Sequence, residues 1–454
     1  MSIRKSSRRE VLSAFAMSGA ARVLRAAPLA STLEGQAAVA PAGAADRTRL
    51  VEYFHGIATS LLRPAEGVLR YPSVSPSLPN KQYSTELWDW DTYWTSRGLF
   101  RLARTVHDSE LHRMVSEHAR GSFQNFFEHQ SSEGRIPLMI SVGNADPFGC
   151  LRMASPNPNN QAKPVMAQLG LLVSEELGSA EWLHPYFDKL VSFYASWTDN
   201  NQSSTGLLVW GDDVAIGNDN DPTTFGRPPF SSANLLLNCL FYRDLEAAAE
   251  IARRLGRDAD SGRLSAQARE LARNMERYCW DPRDRFYYTV DVQCVDRRAE
   301  LIPNVARGMP MSWKCLPLRI QTFTGFMPLW CGVASRERAA EMVRQHYTMS
   351  EKLRAGWGVR SLSKEETMYS LAASSNPSNW LGPVWIIVNY MVWVGLRNYG
   401  FAKEANDLAV ATWTLLSRDL ARNGSLNEYY HPDTGEALSH KGFVDWNMLV
   451  LEMV

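Results

Sequence analysis

No run of about 18 uncharged apolar residues occurs in the 454-residue chain, so the sequence predicts no membrane-spanning helix. Net charge is missing too: 48 Lys and Arg face 48 Asp and Glu. Nucleic-acid binders usually carry a basic excess, so that class is disfavoured. Cysteine is scarce. The six residues at 150, 239, 279, 294, 315 and 331 form no CxxC pair and no zinc-ligand spacing with His. Six cysteines allow fifteen pairings, and the sequence selects none. Strand-like stretches are few, with Phe286 to Val290 the best of them. No fixed-period self-similarity appears, which argues against a repeat scaffold. After residue 45 no Pro/Gly/Ser linker divides the chain, so one domain is expected over 46–454.

What is present is ordinary globular composition, 45% hydrophobic and 21% charged. Tryptophan stands out with fifteen copies. Core packing accounts for most tryptophans in most proteins, and sugar-binding clefts are the other common use.

The first 45 residues read as a leader outside the fold. Arg8 and Arg9 in Ser7–Leu12 (SRREVL) precede an apolar, small-residue stretch from Val11 to Ala21. This resembles a twin-arginine export signal, and periplasmic or secreted localisation is the expectation. A disordered basic tail is the alternative. Without residues 1–25 the chain keeps 42 basic and 47 acidic side chains, a mild acidic excess.

Helical periodicity dominates the body. Leu264, Ala268, Leu271, Met275 and Tyr278 make a one-sided apolar stripe. Ala405, Leu408, Ala409, Leu415 and Leu416 make another, and Ser363 with Glu366 fits a capping box. Twelve helical segments are predicted, near 47–62, 86–104, 108–128, 161–177, 180–199, 231–255, 260–279, 321–333, 335–346, 378–399, 401–421 and 441–453. The segments 129–160, 200–230, 281–320 and 346–378 are long and polar, and loops of that length usually carry function.

Four runs carry the candidate chemistry. Glu86 to Trp94 (ELWDWDTYW) sets Asp89 and Asp91 among Trp88, Trp90 and Trp94. Carboxylates accept paired hydrogen bonds from sugar hydroxyls, and indole faces stack on pyranose rings. Acids in a first helical turn are also favoured by the helix dipole, which leaves the tryptophans unexplained. Trp210 to Pro222 (WGDDVAIGNDNDP) holds four Asp and two Asn. An EF-hand counted from Asp219 places Asp221 and Thr223 correctly. It then fails at Thr224, where Gly is needed, and at Phe230, where a bidentate Glu is needed. An irregular structural calcium site and a solvated Asx-rich turn stay open. Asn376 to Trp385 (NPSNWLGPVW) combines a turn with Trp380, Gly382 and Trp385. Gly424 to Glu436 (GSLNEYYHPDTGE) puts Glu428 beside Tyr429 and Tyr430. Asp219 and Glu428 are joined by no local element. A helical toroid that gathers its loops at one end brings them together across a funnel. Two carboxylates so placed can hydrolyse a glycosidic bond.

Together the runs resemble glycoside hydrolase family 63 and the trehalase-like glycosidases, in the compact bacterial form that includes mannosylglycerate and glucosylglycerate hydrolases. The resemblance covers residues 50–454. It rests on the four runs, on Asn159–Pro164 (NNQAKP) and on Gly356–Ser363 (GWGVRSLS). It implies an all-α (α/α)6 barrel, a small carbohydrate substrate, no cofactor, and hydrolysis with inversion. Asp219 would be the general acid and Glu428 the general base, with Asp219 the less solvated. Asp91, Trp88, Gln161, Trp380 and Trp385 would line the subsite for the non-reducing sugar. The wider substrate-binding set adds Asp89, Lys163, Trp210, Arg227, Trp357, Gly382, Tyr429 and Trp446. The chain departs from the family at the acid. Asp219 stands nine residues after Trp210 instead of five, Asp221 replaces a Ser, and TTFGRPPF follows where an Arg usually comes at once. Asp213 and Asp221 are therefore alternative acids. A non-catalytic sugar-binding protein of the same fold and a polysaccharide lyase are the competing functions.

Overall fold

The computed structural model describes residues 41–152, 158–294, 313–372 and 378–454. Residues 1–40 of the expected leader, and Asn376 and Pro377 of the third run, lie outside the described residues. Apolar residues at helical spacing build α1 (Ala44–Ile57), α2 (Asp89–Val106), α3 (Ser109–Glu128), α4 (Met166–Leu177), α5 (Phe187–Asn201) and α6 (Leu235–Arg254). They continue with α7 (Asp258–Tyr278), α8 (Met327–Trp330), α9 (Arg336–Met342), α10 (Ile386–Asn398) and α11 (Ala402–Asn423).

These helices alternate between two layers. Along the inner layer α2 packs on α4, α4 on α6, α6 on α8, and α8 on α10. The 3₁₀ helix Asp445–Glu452 bridges α10 back to α2 and closes the ring. Six inner elements therefore form the wall of an (α/α)6 barrel, and α1, α3, α5, α7, α9 and α11 alternate with them along the chain. Burial follows the layers. Outer α7 buries only Leu264, Ala268, Leu271 and Met275, the stripe read from sequence. Inner α10 buries every residue from Ile386 to Val392, as a helix apolar all round must. Glycine permits the tightest closure: a β-carbon on Gly98 of α2 would lie 2.6 Å from Met448 Cβ of the closing 3₁₀ helix.

Caps fix the helix ends. Asn234 Oδ1 accepts from the backbone N–H of Leu236 and Leu237 at the start of α6, and Asp108 Oδ1 accepts from Leu111 N–H at the start of α3. Left-handed Gly178 and Gly424 end α4 and α11.

Several predicted boundaries move. Helix α1 starts at Ala44, inside the expected leader. Residues 86–88 are extended, because β1 (Glu86–Trp88) pairs antiparallel with β2 (Met139–Ser141), and α2 begins only at Asp89. Pro185 turns the start of the predicted 180–199 helix into a 3₁₀ segment, Glu181–Tyr186. The 321–333 and 441–453 segments are built partly or wholly of 3₁₀ turns. Ser363 and Glu366 cap no helix; the Glu366 carboxylate accepts from Gln321 N–H instead. All six cysteines are free thiols. Among the described residues no helix is long and apolar enough to cross a membrane.

Candidate active site

Trp88 ends β1, so its side chain and the first turn of α2 reach a cavity of about 320 Å³, at the small end for ligand pockets. Trp88, Trp90, Asp91 and Lys163 line it together with Asp213, Asp219, Glu428 and Trp446. Tyr83, Phe148, Phe225, Ser378 and Phe443 complete much of the remainder, with Val214, Ala215 and Gly217. Asp219 and Glu428 thus share one cavity although 209 positions separate them.

Asp89 lies behind this surface, fully buried. Its Oδ2 accepts from Lys163 N–H at 2.6 Å, and its Oδ1 pairs with Lys163 Nζ at 2.9 Å and accepts from Trp90 N–H at 2.7 Å. Lys163 Nζ also donates to Ala215 O at 2.9 Å, which ties the NNQAKP run to the acid-bearing loop. Asn160 does the same: its Nδ2 donates to Asp212 Oδ1 and Val214 O, and its Oδ1 accepts from Gly211 N–H.

The loop around Asp219 is held by its neighbours. Asp221 is buried, and its Oδ2 accepts from Asn218 Nδ2 at 2.6 Å and from Asn234 Nδ2 at 3.0 Å. Its Oδ1 accepts from Thr223 N–H at 2.8 Å. Asn220 Oδ1 accepts from Trp380 N–H at 2.6 Å, and its Nδ2 donates to Asn379 Oδ1. Asp219 projects between these anchors and stays partly exposed. Of the two alternative acids, Asp213 lines the cavity and Asp221 does not. Asp221 and its amide partners act as internal loop fasteners. Among the described residues no cluster of three or more His, Cys, Asp or Glu is arranged to hold a metal ion.

Glu428 sits on a short hairpin, where β3 (Tyr429–Tyr430) pairs with β4 (Ala437–Ser439). Its N–H donates to Ser439 O, and Trp446 Nε1 donates to its carbonyl. Only 2% of the residue is exposed. Burial pushes its carboxyl above the ordinary Glu value. Contact with His440 Nδ1 opposes that shift, and the charge of Asp219 adds to it. The expectation that Asp219 is the less solvated acid is overturned. Glu428 is enclosed by the hairpin, His440 and Trp446, whereas Asp219 stays partly exposed on its loop.

Asp91 has a second carboxyl behind it. Burial pushes Asp91 up to about 7, opposed by Lys163 and aided by Asp89. Asp445 is also pushed up, by burial first and Asp91 second. Asp445 Oδ1 accepts from Thr95 Oγ1 at 2.7 Å, its Oδ2 is buried without a hydrogen-bond partner, and Asp91 is near enough for the two carboxyls to influence each other's titration. Two buried carboxyls so placed hold one proton between them more readily than none.

The remaining sequence candidates form the support. Trp380 stacks on Trp385, with ring centroids 3.9 Å apart and planes 8° from parallel. Trp385 in turn braces Tyr429 and Trp446. None of Trp380, Trp385 and Tyr429 is part of the cavity lining, which Trp90 and Trp446 take up in front of them. Gln161 is bound to Ser196 in the core, and Trp210 packs on Trp197. Trp357 donates to Asp433 O under the Arg418 guanidinium. Gly382 has φ 142°, and a β-carbon there would meet the Tyr369 ring at 2.4 Å. Arg227 is paired with Asp291, away from the cavity.

Sequence reasoning missed Tyr83, Phe148, His440, Phe443 and Asp445. The backbone offers a signal it could not see. Tyr83 (φ 66°), Ala215 (φ 51°) and His440 (φ 49°) all occupy the left-handed region at this site. Non-glycine residues rarely do so outside sites that over-determine them. The Tyr83 and His440 rings meet edge to face at 5.6 Å.

A closed ring of helical hairpins with paired carboxylates in an aromatic cavity defines a six-hairpin glycosidase fold. The mannosylglycerate hydrolase MGH1-like glycoside hydrolase domain matches residues 84–444, and the chain belongs to that family. A mannosylglycerate hydrolase of Thermus thermophilus is 32% identical over 139 residues, 30% of this chain and 31% of that protein. A periplasmic trehalase of Escherichia coli is 22% identical over 93% of this chain and 76% of its own length. Among solved structures, a family 63 mannosylglycerate hydrolase of Thermus thermophilus in complex with glucose superposes with TM-score 0.62. It is 20% identical and covers 90% of this chain and 98% of that one. The matches to the first curated relatives span about a third of their length or less.

Proposed function

We propose that the protein is an inverting glycosidase acting on an α-glucosidic or α-mannosidic bond in a small glycoside. The observation that carries this reading is the convergence of Asp219 and Glu428, distant in sequence, on one small aromatic cavity. Trp88, Trp90 and Trp446 line the space that a pyranose would occupy, with the Asp91 carboxyl among them. Burial pushes both Asp91 and Asp445 towards their neutral forms, and a protonated Asp91 can donate as well as accept.

In the reaction, protonated Asp219 gives its proton to the glycosidic oxygen while the bond from that oxygen to the anomeric carbon breaks. Ionised Glu428 takes a proton from a water whose oxygen bonds to the anomeric carbon from the opposite face. The products are a free sugar of inverted anomeric configuration and an alcohol. Exchange with solvent returns a proton to Asp219 and removes one from Glu428.

Proton NMR of a panel of α-glucosides and α-mannosides tests this directly. β-Anomer released first from an α-linked substrate is expected. Prompt α-anomer would overturn the mechanism, and silence across the panel would favour a sugar-binding protein that has lost catalysis.

The Arg8–Arg9 leader supports export by the twin-arginine route. Replacing both residues with Lys is expected to retain the protein in the cytoplasmic fraction. An unchanged distribution refutes the export reading.

A further inference from the structure

The acid must reach the leaving oxygen, so the departing alcohol lies beside the segment that carries Asp219. That segment contributes Asp213, Val214, Ala215, Gly217 and Phe225 to the cavity. Val214 and Phe225 are 46% and 47% exposed, large apolar side chains left open beside a catalytic carboxyl. Phe148 adds a third apolar surface, with its ring 5.7 Å from that of Trp88.

The charges in the same cavity point one way. Asp213 Oδ2 accepts from Gly226 N–H at 2.7 Å, which fixes this carboxylate to the loop. Arg227, one residue further on, is turned to Asp291. Lys163 Nζ is held by Asp89 and Ala215 O, with 3% of its side chain exposed. Among the described residues the lining holds four carboxyls, Asp91, Asp213, Asp219 and Glu428, of which the proposed mechanism keeps Asp219 protonated and burial pushes Asp91 towards its neutral form, and one cation that already has its counter-ion. An entering carboxylate finds no unpaired cation in this lining among the described residues and meets the ionised Glu428 of the proposed mechanism, a like charge.

Resting on the glycosidase reading, we propose that the leaving-group subsite takes a neutral alcohol with an apolar face in preference to a carboxylate-bearing alcohol such as glycerate. A second sugar ring presenting its C–H face to Val214 and Phe225 and an aryl ring both meet that description. The preference is a property of the Asp213–Phe225 wall, and it separates this chain from relatives named for mannosylglycerate.

The test compares kcat/KM at pH 7 for three aglycones on one sugar. They are the glycerate glycoside, the glycerol glycoside of the same length, and the phenyl glycoside, each with α-glucose and α-mannose. The neutral glycosides are expected to exceed the glycerate by at least about tenfold, the scale of one misplaced polar group in a binding site. Asp213→Asn, which keeps an acceptor for Gly226 N–H, is expected to narrow that ratio by a few-fold. Phe225→Ala is expected to raise KM for the phenyl glycoside more than for the glycerol glycoside. A glycerate glycoside hydrolysed as well as or better than its glycerol counterpart overturns the inference and leaves the glycosidase reading standing. If no member of the set is cleaved, the glycosidase reading fails and the inference falls with it.

Discussion

The two carboxylates facing each other in the cavity are mounted in opposite ways. Glu428 is set in a hairpin whose backbone pairs on both sides: with Ser439, and through Tyr430 with Val384 beyond it. Asp219 rides a loop without regular structure, held by side-chain amides of Asn218, Asn220 and Asn234. On the proposed roles, a base aligned with one water gains from backbone rigidity. On the same reading, an acid that follows a departing oxygen gains from a mount in which side-chain fasteners supplement turn bonds such as Asp221 N–H to Asn218 O. Rigid scaffolds bearing functional loops are a general solution, and here one site uses both halves of it.

That contrast can be broken by experiment. The largest effect is expected from Glu428→Gln, which should lower kcat/KM by at least about a thousandfold on every substrate, as loss of a general base does. Asp219→Asn should match that loss on alkyl glycosides but fall much less on glycosides of acidic phenols, which depart without a proton. Equal losses on both substrates would move the acid role to Asp213. Next comes Asn220→Ala, which unfastens the loop from Trp380. A fall in kcat of about ten- to a hundredfold with little change in thermal midpoint is expected, as for a catalytic group displaced by an ångström. An unchanged kcat would mean that the acid is positioned by other contacts.

His440→Asn sharpens the comparison at the base. It removes the ring whose contact with Glu428 opposes the upward push of burial. The acid limb of the pH profile of kcat/KM should therefore move to higher pH. A limb that stays in place would reduce His440 to packing against Tyr83. The smallest effect concerns stability. Asp91 and Asp445 have raised folded-state values, so they bind protons more tightly folded than unfolded. Their contribution is present below about pH 4 and is lost as pH rises through about 7. Asp445→Asn should flatten the decline in thermal midpoint between pH 5 and 8 by one or two degrees or so. A mutant that declines as steeply as the parent would show the pair carries no such load.

Sequence legibility divided along the same line as the two mounts. Apolar spacing exposed the outer helices well, because α7 and α11 show their stripes against polar faces. The inner layer was harder to delimit. The 3₁₀ segments Phe323–Phe326 and Asp445–Glu452 are buried throughout most of their length and carry no one-sided pattern. The dense runs located the cavity through Trp88, Asp91, Asp219 and Glu428, and the wider set added Lys163 and Trp446. They also drew in Gln161, Trp210, Trp380 and Trp385, since an aromatic in a motif and an aromatic behind it look alike in one dimension. His440 and Asp445 escaped because their roles depend on contacts with Glu428 and Asp91 that only the closed ring creates.

The closure of that ring also sets an order of events. The 3₁₀ helix Asp445–Glu452 meets α2 across some 350 positions, through Thr95 to Asp445 and Arg97 to Glu452. Until it has been synthesised, α2 has no neighbour on that side, and the growing chain carries five-sixths of a wall. Contacts so distant in sequence are slow to form and leave apolar surface open meanwhile. Asp91 has no carboxyl partner in that interval. The juxtaposition of Asp91 and Asp445 therefore arises only when the wall shuts, so this pair of buried carboxyls belongs to the completed barrel alone.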